Sequence, residues 1–191
     1  VKEAKGILST RKYTEYSRLV LALTAIGKDP KNVAGYNLLT PLGDYEAVIK
    51  QGINGPIFAL IALDSGNYEM PVCQTAKVKA TREAYIQYIL KAQLEDGGFN
   101  LSGMVANPDV TAMALTALAP YKEQAEIKTA IERGVDCLSK MQTASGGYTS
   151  YGEENVESAA QVLTAINALG ISPSDERFMK NGHGLVQNIF S

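Results

Sequence analysis

Two kinds of apolar pattern alternate along the chain. In the first kind nearly every position is apolar, so the helix that it predicts must be packed on most sides. In the second kind apolar residues recur every three or four positions, which predicts an amphipathic helix, as in residues 81–93 and 123–142. We therefore expect an inner layer of apolar helices and an outer layer of amphipathic helices. The expected inner helices cover residues 17–26, 54–63, 109–118 and 157–166.

Residues typical of helix ends accompany these patterns, since glycine or proline follows each expected inner helix. Pro41 and Gly43 break the segment 29–51, which we expect to form two short helices, and a further amphipathic helix should start at residue 184. No stretch of useful length alternates between apolar and polar residues, so the sequence predicts an all-α chain. The residues expected to cap the inner helices are Ser17, Asn54, Asp109, and Glu157 or Ser158.

The chain contains an internal repeat. Residues 88–99 recur as residues 137–148, 49 positions later, and the apolar helices that follow match at an offset of 48. Repeated inner–outer hairpins predict an arc or toroid with the glycine turns at one rim, and at least one glycine of each pair should have positive φ. The matching residues are Gln93, Gly97, Gly98 and Phe99 in one copy and Gln142, Gly146, Gly147 and Tyr148 in the other.

These two turns resemble the Q-x-x-x-G-x-W/F repeat of the squalene-cyclase and prenyltransferase family. The likeness covers residues 81–170, and Arg133-Gly134 stands upstream of the second turn, as is common in that family's motif. Residues 16–30 are most similar to the family's non-catalytic relatives on bacterial surfaces. The resemblance implies a single domain over residues 1–191, folded as a partial α/α toroid of about four inner–outer helical hairpins.

The catalytic motifs of the family's enzymes are incomplete in this chain. Where protonating cyclases carry D-x-D-D-T-A, residues 107–112 keep only the middle aspartate, Asp109, and the Thr-Ala pair. The flanking carboxylates that would tune the acidity of a general acid are missing, so the resemblance makes Asp109 a weak catalytic candidate. No Asp-Asp pair is present to bind diphosphate, and Glu153, Glu154 and Glu157 are typical of acids that complement a helix dipole.

The cysteines and the single histidine do not predict a metal site. Asp136, Cys137 and His183 have side chains of the types that bind zinc. The family's zinc enzymes use Asp-x-Cys, however, and residues 136–137 lack the intervening residue. We therefore expect no metal and no cofactor.

Composition excludes two classes of partner. Lys and Arg number 18 against 20 Asp and Glu and lie scattered, which disfavours nucleic-acid binding. The longest apolar run, residues 57–63, is far shorter than the roughly 20 residues needed to span a bilayer, so no membrane insertion is expected. No positively charged segment precedes an apolar stretch of the kind found in signal peptides, so we expect no secretory signal within these residues. An extracellular or cell-surface location follows from the resemblance alone.

The resemblance and the residues together favour a non-catalytic binding module of an exported bacterial surface protein. Its ligand would be a small molecule, a polymer or a protein, and the candidate contact residues are Tyr151, Phe99 and Tyr148, although the last two could instead fill the repeat turns. The alternatives are a fragment of an isoprenoid cyclase or prenyltransferase-like enzyme, or a carrier of a small, cobalamin-type cofactor. Repeat spacing further predicts either self-association through the C-terminal end or a gain in stability from a downstream segment.

Overall fold

The nearly apolar and the amphipathic segments both fold as helices in the computed structural model, which describes all 191 residues. The protein is mostly helical, and each expected inner and outer helix is present within a few residues of its expected bounds. In chain order the α-helices are α1 (Thr14–Ala25), α2 (Tyr45–Val48), α3 (Asn54–Ser65), α4 (Arg82–Lys91), α5 (Pro108–Leu118), α6 (Ala125–Met141), α7 (Val156–Leu169) and α8 (Leu185–Ile189).

The chain divides into two compact units, residues 1–91 and 92–191. In the first unit α1 packs against α3, and α4 also packs against α3. In the second unit α5 packs against α7, α6 lies against α5, and α8 lies against α7. Within each unit the two nearly apolar helices therefore contact each other, and amphipathic helices cover them.

Small residues bring the inner helices of the second unit together. Ala112, Ala114 and Ala117 of α5 are buried, as are Ala159 and Ala165 of α7. An alanine side chain keeps the two backbones close, which the contact between these helices requires. The amphipathic α6 buries only one face, and glutamate, lysine and arginine occupy the other.

The expectation of an all-α chain is wrong in one respect, because two short antiparallel hairpins are present. Each hairpin has two residues per strand, too few for an alternating pattern to be visible in the sequence. The strands are β1 (Thr149–Ser150), which pairs with β2 (Glu153–Glu154), and β3 (Met179–Lys180), which pairs with β4 (His183–Gly184).

Both hairpins turn through two residues with positive φ. The values are 53° and 93° at Tyr151 and Gly152, and 51° and 82° at Asn181 and Gly182. Positive φ at both central residues is the requirement of a type I′ turn, for which Asn-Gly is a preferred pair. The Asn-Gly pair was therefore a signal for the second hairpin, whereas a tyrosine at the first turn is uncommon.

The irregular segment of the first unit holds less α-helix than expected. Two short helices were expected in residues 29–51, and the structure has one, α2, between the 3₁₀ turns Thr40–Gly43 and Ile49–Gln51. Two further 3₁₀ turns lie in the second unit, at Ala119–Tyr121 and Glu176–Phe178. The helix expected from residue 184 onward is confirmed as α8.

The expected helix caps are wrong. The side-chain oxygen of Asn107 accepts a hydrogen bond from the Val110 backbone N–H at 3.1 Å, and Asn155 does the same for Ser158 at 2.9 Å. The expected caps at Asp109 and at Glu157 or Ser158 lie inside α5 and α7 instead. A cap needs extended backbone, which Asn107 has, and the following proline is suited to the first helical position. Ser17 likewise lies inside α1, and Asn54 is the first residue of α3.

The glycine pairs have the expected geometry at their first members. Gly97 has φ of 89° and Gly146 has φ of 83°, which confirms that one glycine of each pair takes positive φ. A Cβ atom at Gly97 would lie 2.6 Å from the carbonyl oxygen of Arg133, and one at Gly146 would lie 2.8 Å from that of Gly184. Both glycines are therefore required by conformation and by close contact with the next element.

We predict that Gly97→Ala destabilises the protein more than Gly103→Ala does. Both residues have positive φ, so each alanine costs about 1 kcal/mol for conformation alone. A Cβ atom at Gly103 meets nothing within 4 Å, whereas one at Gly97 meets backbone that cannot easily move. Denaturant unfolding of the two variants measures the difference, and equal losses would show that the contact with Arg133 contributes nothing.

Candidate functional site

The repeat glutamines hold the glycine turns through paired hydrogen bonds. The side-chain amide of Gln93 donates to the carbonyls of Gly97 and Ala130, both at 2.8 Å. The side-chain amide of Gln142 donates to the carbonyls of Gly146 at 3.0 Å and Phe178 at 2.9 Å. Each glutamine thus joins its own turn to an element that follows later in the chain. These bonds give both glutamines a structural role in the turns.

The aromatic residues of the two turns belong to the core. Phe99 and Tyr148 are fully buried, and the Tyr148 hydroxyl donates to the carbonyl of Leu138 at 2.8 Å. Burial raises the pKa of Tyr148 far above its ordinary value, so the phenol stays neutral. Their assignment as contact residues is therefore wrong for this conformation: the rings fill the turns and offer no surface to a ligand.

Tyr151 lies at the tip of the β1–β2 hairpin and is 86% exposed. The neighbouring loop, residues 100–106, exposes Met104 and Val105 as well. Its end is tied to the hairpin because the Asn107 side-chain amide donates to the Ser150 hydroxyl at 3.0 Å. Tyr151 remains a predicted contact residue. It lies on the rim of the second unit where the β1–β2 hairpin leads into α7 and the loop 100–106 leads into α5.

Asp109 takes part in a polar chain beneath this rim. The Ser150 hydroxyl donates to one carboxylate oxygen of Asp109 at 2.8 Å and accepts from Asn107. The other carboxylate oxygen is buried and has no hydrogen-bond partner. Because Asp109 occupies the second position of α5, its charge complements the helix dipole. The cluster could accept one further donor at that free oxygen.

The three glutamates at strand β2 and the start of α7, which are Glu153, Glu154 and Glu157, do not form a common site. Glu154 accepts hydrogen bonds from the Ser145 hydroxyl at 2.6 Å and the Asn188 amide at 2.9 Å, and these bonds, that of Ser145 first, lower its pKa. Glu153 and Glu157 are exposed. Glu154 therefore acts as a tie between the repeat turn, the hairpin and α8.

The residues with zinc-binding side chains differ in their surroundings. Cys137 is buried on α6, and burial raises the pKa of its thiol to about 11. Asp136 and His183 are exposed. The structure places no three His, Cys, Asp or Glu side chains where they could hold a metal ion together.

A cleft of about 450 Å³ in the first unit was not expected from the sequence. It lies among the N-terminal residues 5–10, the start of α1, and the segment before α2. Three tyrosines, Tyr13, Tyr16 and Tyr36, contribute to its lining, together with Asp44. The lining residues come from the first turn of α1 and from separate irregular segments, so no spacing in the sequence marked them as a group.

Hydrogen bonds and close packing hold the wall of this cleft. The Tyr16 hydroxyl accepts from the Leu8 backbone N–H at 3.0 Å and donates to the carbonyl of Ser9. The Gly6 backbone lies directly on the Tyr36 ring, since a Cβ atom there would be 2.5 Å from a ring carbon. The N-terminal segment is thus attached to both α1 and Tyr36.

The second unit has a smaller cleft of about 240 Å³ near the end of α7. Ile131 and Leu169 contribute apolar surface, and Lys122 lines it while donating to the carbonyl of Leu169 at 3.1 Å. Lys122 therefore satisfies a carbonyl at the end of α7, which gives this lysine a structural role.

Comparison of the chain with models of protein families, with curated proteins and with solved structures finds no match. Among its helices, none has both the length and the apolar character that crossing a membrane requires.

We predict that Asn107→Ala lowers the free energy of unfolding by about 1 kcal/mol, because α5 loses its side-chain cap. Asn155→Ala should have a similar effect on α7, since the two asparagines make the same bond. Asp109→Ala should lower the free energy of unfolding by less than Asn107→Ala does. It removes the carboxylate oxygen that accepts from Ser150, but it also removes the other oxygen, which is buried without a partner and is therefore unfavourable. Urea unfolding tests the order, and a larger loss for Asp109→Ala than for Asn107→Ala would contradict it.

We predict that Glu154→Gln makes the protein less sensitive to acid. The pKa of Glu154 is lowered in the folded state, so its stabilising contribution is present above the unfolded pKa and is lost as pH falls through the folded pKa. Melting temperatures at pH 7 and in the acid range measure the loss for each variant. Glu153→Gln, which removes the same charge from the adjacent residue, is the control and should retain the wild-type acid sensitivity.

Proposed function

We propose that the chain is a non-catalytic binding module built from squalene-cyclase and prenyltransferase-like repeats. The observation that carries this proposal is the cleft of the first unit. Its volume of about 450 Å³ lies in the range of small-molecule sites. Its lining combines aromatic rings with polar groups, which is typical of recognition sites.

The scaffold supports the same proposal. The Gln93 and Gln142 turns have matching hydrogen bonds, and in each unit two nearly apolar helices pack on each other. We infer that these helices belong to a partial α/α toroid of about four inner–outer hairpins. A rigid helical scaffold that presents loops and clefts is a common arrangement for binding proteins. An experimental structure without successive inner helices around one axis would refute the toroid.

The resemblance of residues 16–30 to bacterial surface proteins supports a location outside the cell. We infer on that basis that the module is part of an exported surface protein. Fractionation of the native organism tests this inference, because recovery of the protein in the cytosol alone would contradict it.

A specific observation favours the enzymatic alternative as a second candidate. Asp109 occupies the place of the general acid of protonating cyclases, and one of its carboxylate oxygens is buried without a partner. A protonated carboxyl could deliver its proton from such an atom to an alkene. The Ser150 hydroxyl donates a hydrogen bond to the other carboxylate oxygen, and the Asn107 side-chain amide donates to that hydroxyl.

We predict that ligands from a chemically diverse fragment library bind in the cleft of the first unit. In ¹⁵N-labelled protein, binding should shift the amide resonances of the residues around Thr10 and Tyr36. Thr10→Arg should abolish these shifts, because Thr10 lines the cleft and an arginine would fill it. Thr129→Arg on the exposed face of α6 is the matched control. Fragments that bind only elsewhere would contradict the proposal.

The same preparation separates a binding module from an enzyme. Incubation with squalene and with a prenyl diphosphate should yield no cyclised or transferred product. Formation of a product by the wild type, abolished in Asp109→Asn, would overturn the non-catalytic proposal and establish the second candidate.

A further inference from the structure

We propose that the cleft of the first unit is a binding site for a neutral saccharide of one or two rings. This inference rests on the proposed function and specifies the class of ligand. The aromatic surface of the cleft, the neutral polar groups of its lining and the balance of charge around it support this class of ligand.

Two tyrosines supply partly open aromatic surface. Tyr13 and Tyr36 are half-buried, whereas Tyr16 is buried, with its ring centroid 5.5 Å from that of Tyr13. Tyr16 thus supports Tyr13 from behind, and the Gly6 backbone supports Tyr36. An aromatic ring held in this way offers an apolar surface with a polar hydroxyl at its edge, which matches the C–H faces and hydroxyl rims of a sugar ring.

The polar part of the lining consists mainly of neutral groups. Seven of the fourteen lining residues carry a hydroxyl: Ser9, Thr10, Tyr13, Tyr16, Tyr36, Thr40 and Thr75. Asn37 adds an amide whose oxygen already accepts from the Leu39 backbone N–H at 2.9 Å, which leaves its NH₂ group as a donor. The Tyr16 hydroxyl is already bonded to the Leu8 N–H and the Ser9 carbonyl, and the Ser9 hydroxyl accepts from the backbone N–H groups of Arg11 and Lys12. The hydroxyls of Thr10, Tyr13, Tyr36 and Thr40 can both donate and accept, which suits a ligand that presents many hydroxyls.

The charges of the lining are balanced. Lys5 is its one cation and Asp44 its one carboxylate. An anionic ligand such as a phosphate ester would favour several cationic donors and a cationic ligand several carboxylates, whereas here Lys5 and Asp44 offset each other. The balance therefore favours a neutral ligand.

Asp44 is held in position for a hydrogen bond to such a ligand. One of its carboxylate oxygens accepts from the Ala47 backbone N–H at 3.1 Å, which caps α2. The other carboxylate oxygen can accept from a sugar hydroxyl, and hydrogen bonds to charged groups are stronger than those between neutral groups. Burial, and then the charge of Asp44, raise the pKa of Tyr13, so the phenol remains a donor at neutral pH.

The test is isothermal titration of the wild type with a panel of neutral disaccharides: cellobiose, maltose, lactose, xylobiose and N,N′-diacetylchitobiose. Inorganic phosphate and choline are the charged comparison probes. We expect at least one disaccharide to bind and neither charged probe to do so. Affinity should fall by about tenfold in Tyr13→Ala, and by less in Tyr13→Phe, which keeps the ring and loses only the hydroxyl.

Two further variants keep the test decisive if Tyr13→Ala does not fold. Asp44→Asn retains a residue that caps helices well and should lower affinity by about tenfold through loss of the charged acceptor. Thr10→Arg should abolish binding by filling the cleft. Thr129→Arg, on the exposed face of α6 in the second unit, is the control and should bind like the wild type.

The outcomes separate this inference from the proposed function. Disaccharide binding that survives both Thr10→Arg and Asp44→Asn would place the sugar elsewhere and overturn the inference. Binding of phosphate or choline, but of no disaccharide, lost in Thr10→Arg would also overturn it while supporting a binding module. If the panel and the fragment library both fail to bind, the inference and the proposed function fail together.

Discussion

A side-chain amide that donates to two backbone carbonyls is the interaction on which the second unit depends. Gln93 and Gln142 each join the glycine turn that follows them to a carbonyl 36 or 37 residues later in the chain. Because the bond reaches forward into a later element, it sets how each turn lies against that element. The glycines allow the close approach, and the buried Phe99 and Tyr148 rings fill the space beneath.

The two copies differ in how completely this interaction is satisfied. Arg133 donates to the side-chain oxygen of Gln93 at 3.1 Å and to the carbonyls of Leu94 and Glu95. The corresponding side-chain oxygen of Gln142 is buried without a partner. A buried polar atom without a partner costs about 1–3 kcal/mol, so the second copy is held less favourably at this point. Ties from Ser145 and Asn188 to Glu154 fasten that turn to the hairpin and α8 instead.

Hydrophobic periodicity predicted the helices, since apolar side chains must be buried wherever they lie on a helix. The caps were mispredicted because more than one residue that can cap a helix stands near each of these helix starts, and the residue that caps is the one whose backbone is extended. Asn107 satisfies that condition and Asp109 does not. The hairpins were missed because strands of two residues have no periodicity. The cleft was missed because Tyr13, Tyr36 and Asp44 are brought together by irregular segments, for which sequence spacing carries no information.

The aromatic side chains have different surroundings in the parts of the chain that follow the repeat and in the parts that do not. Where the repeat is followed closely, aromatic side chains such as Phe99 and Tyr148 are needed inside the turns and are unavailable to a ligand. Residues 29–51 do not follow the repeat, and the tyrosines near them are not needed to fill a glycine turn. Tyr13 and Tyr36 consequently keep surface that reaches an open cleft, with Asp44 beside them. We therefore propose the first unit as the place of recognition, because departure from the repeat leaves aromatic and polar groups exposed to the cleft.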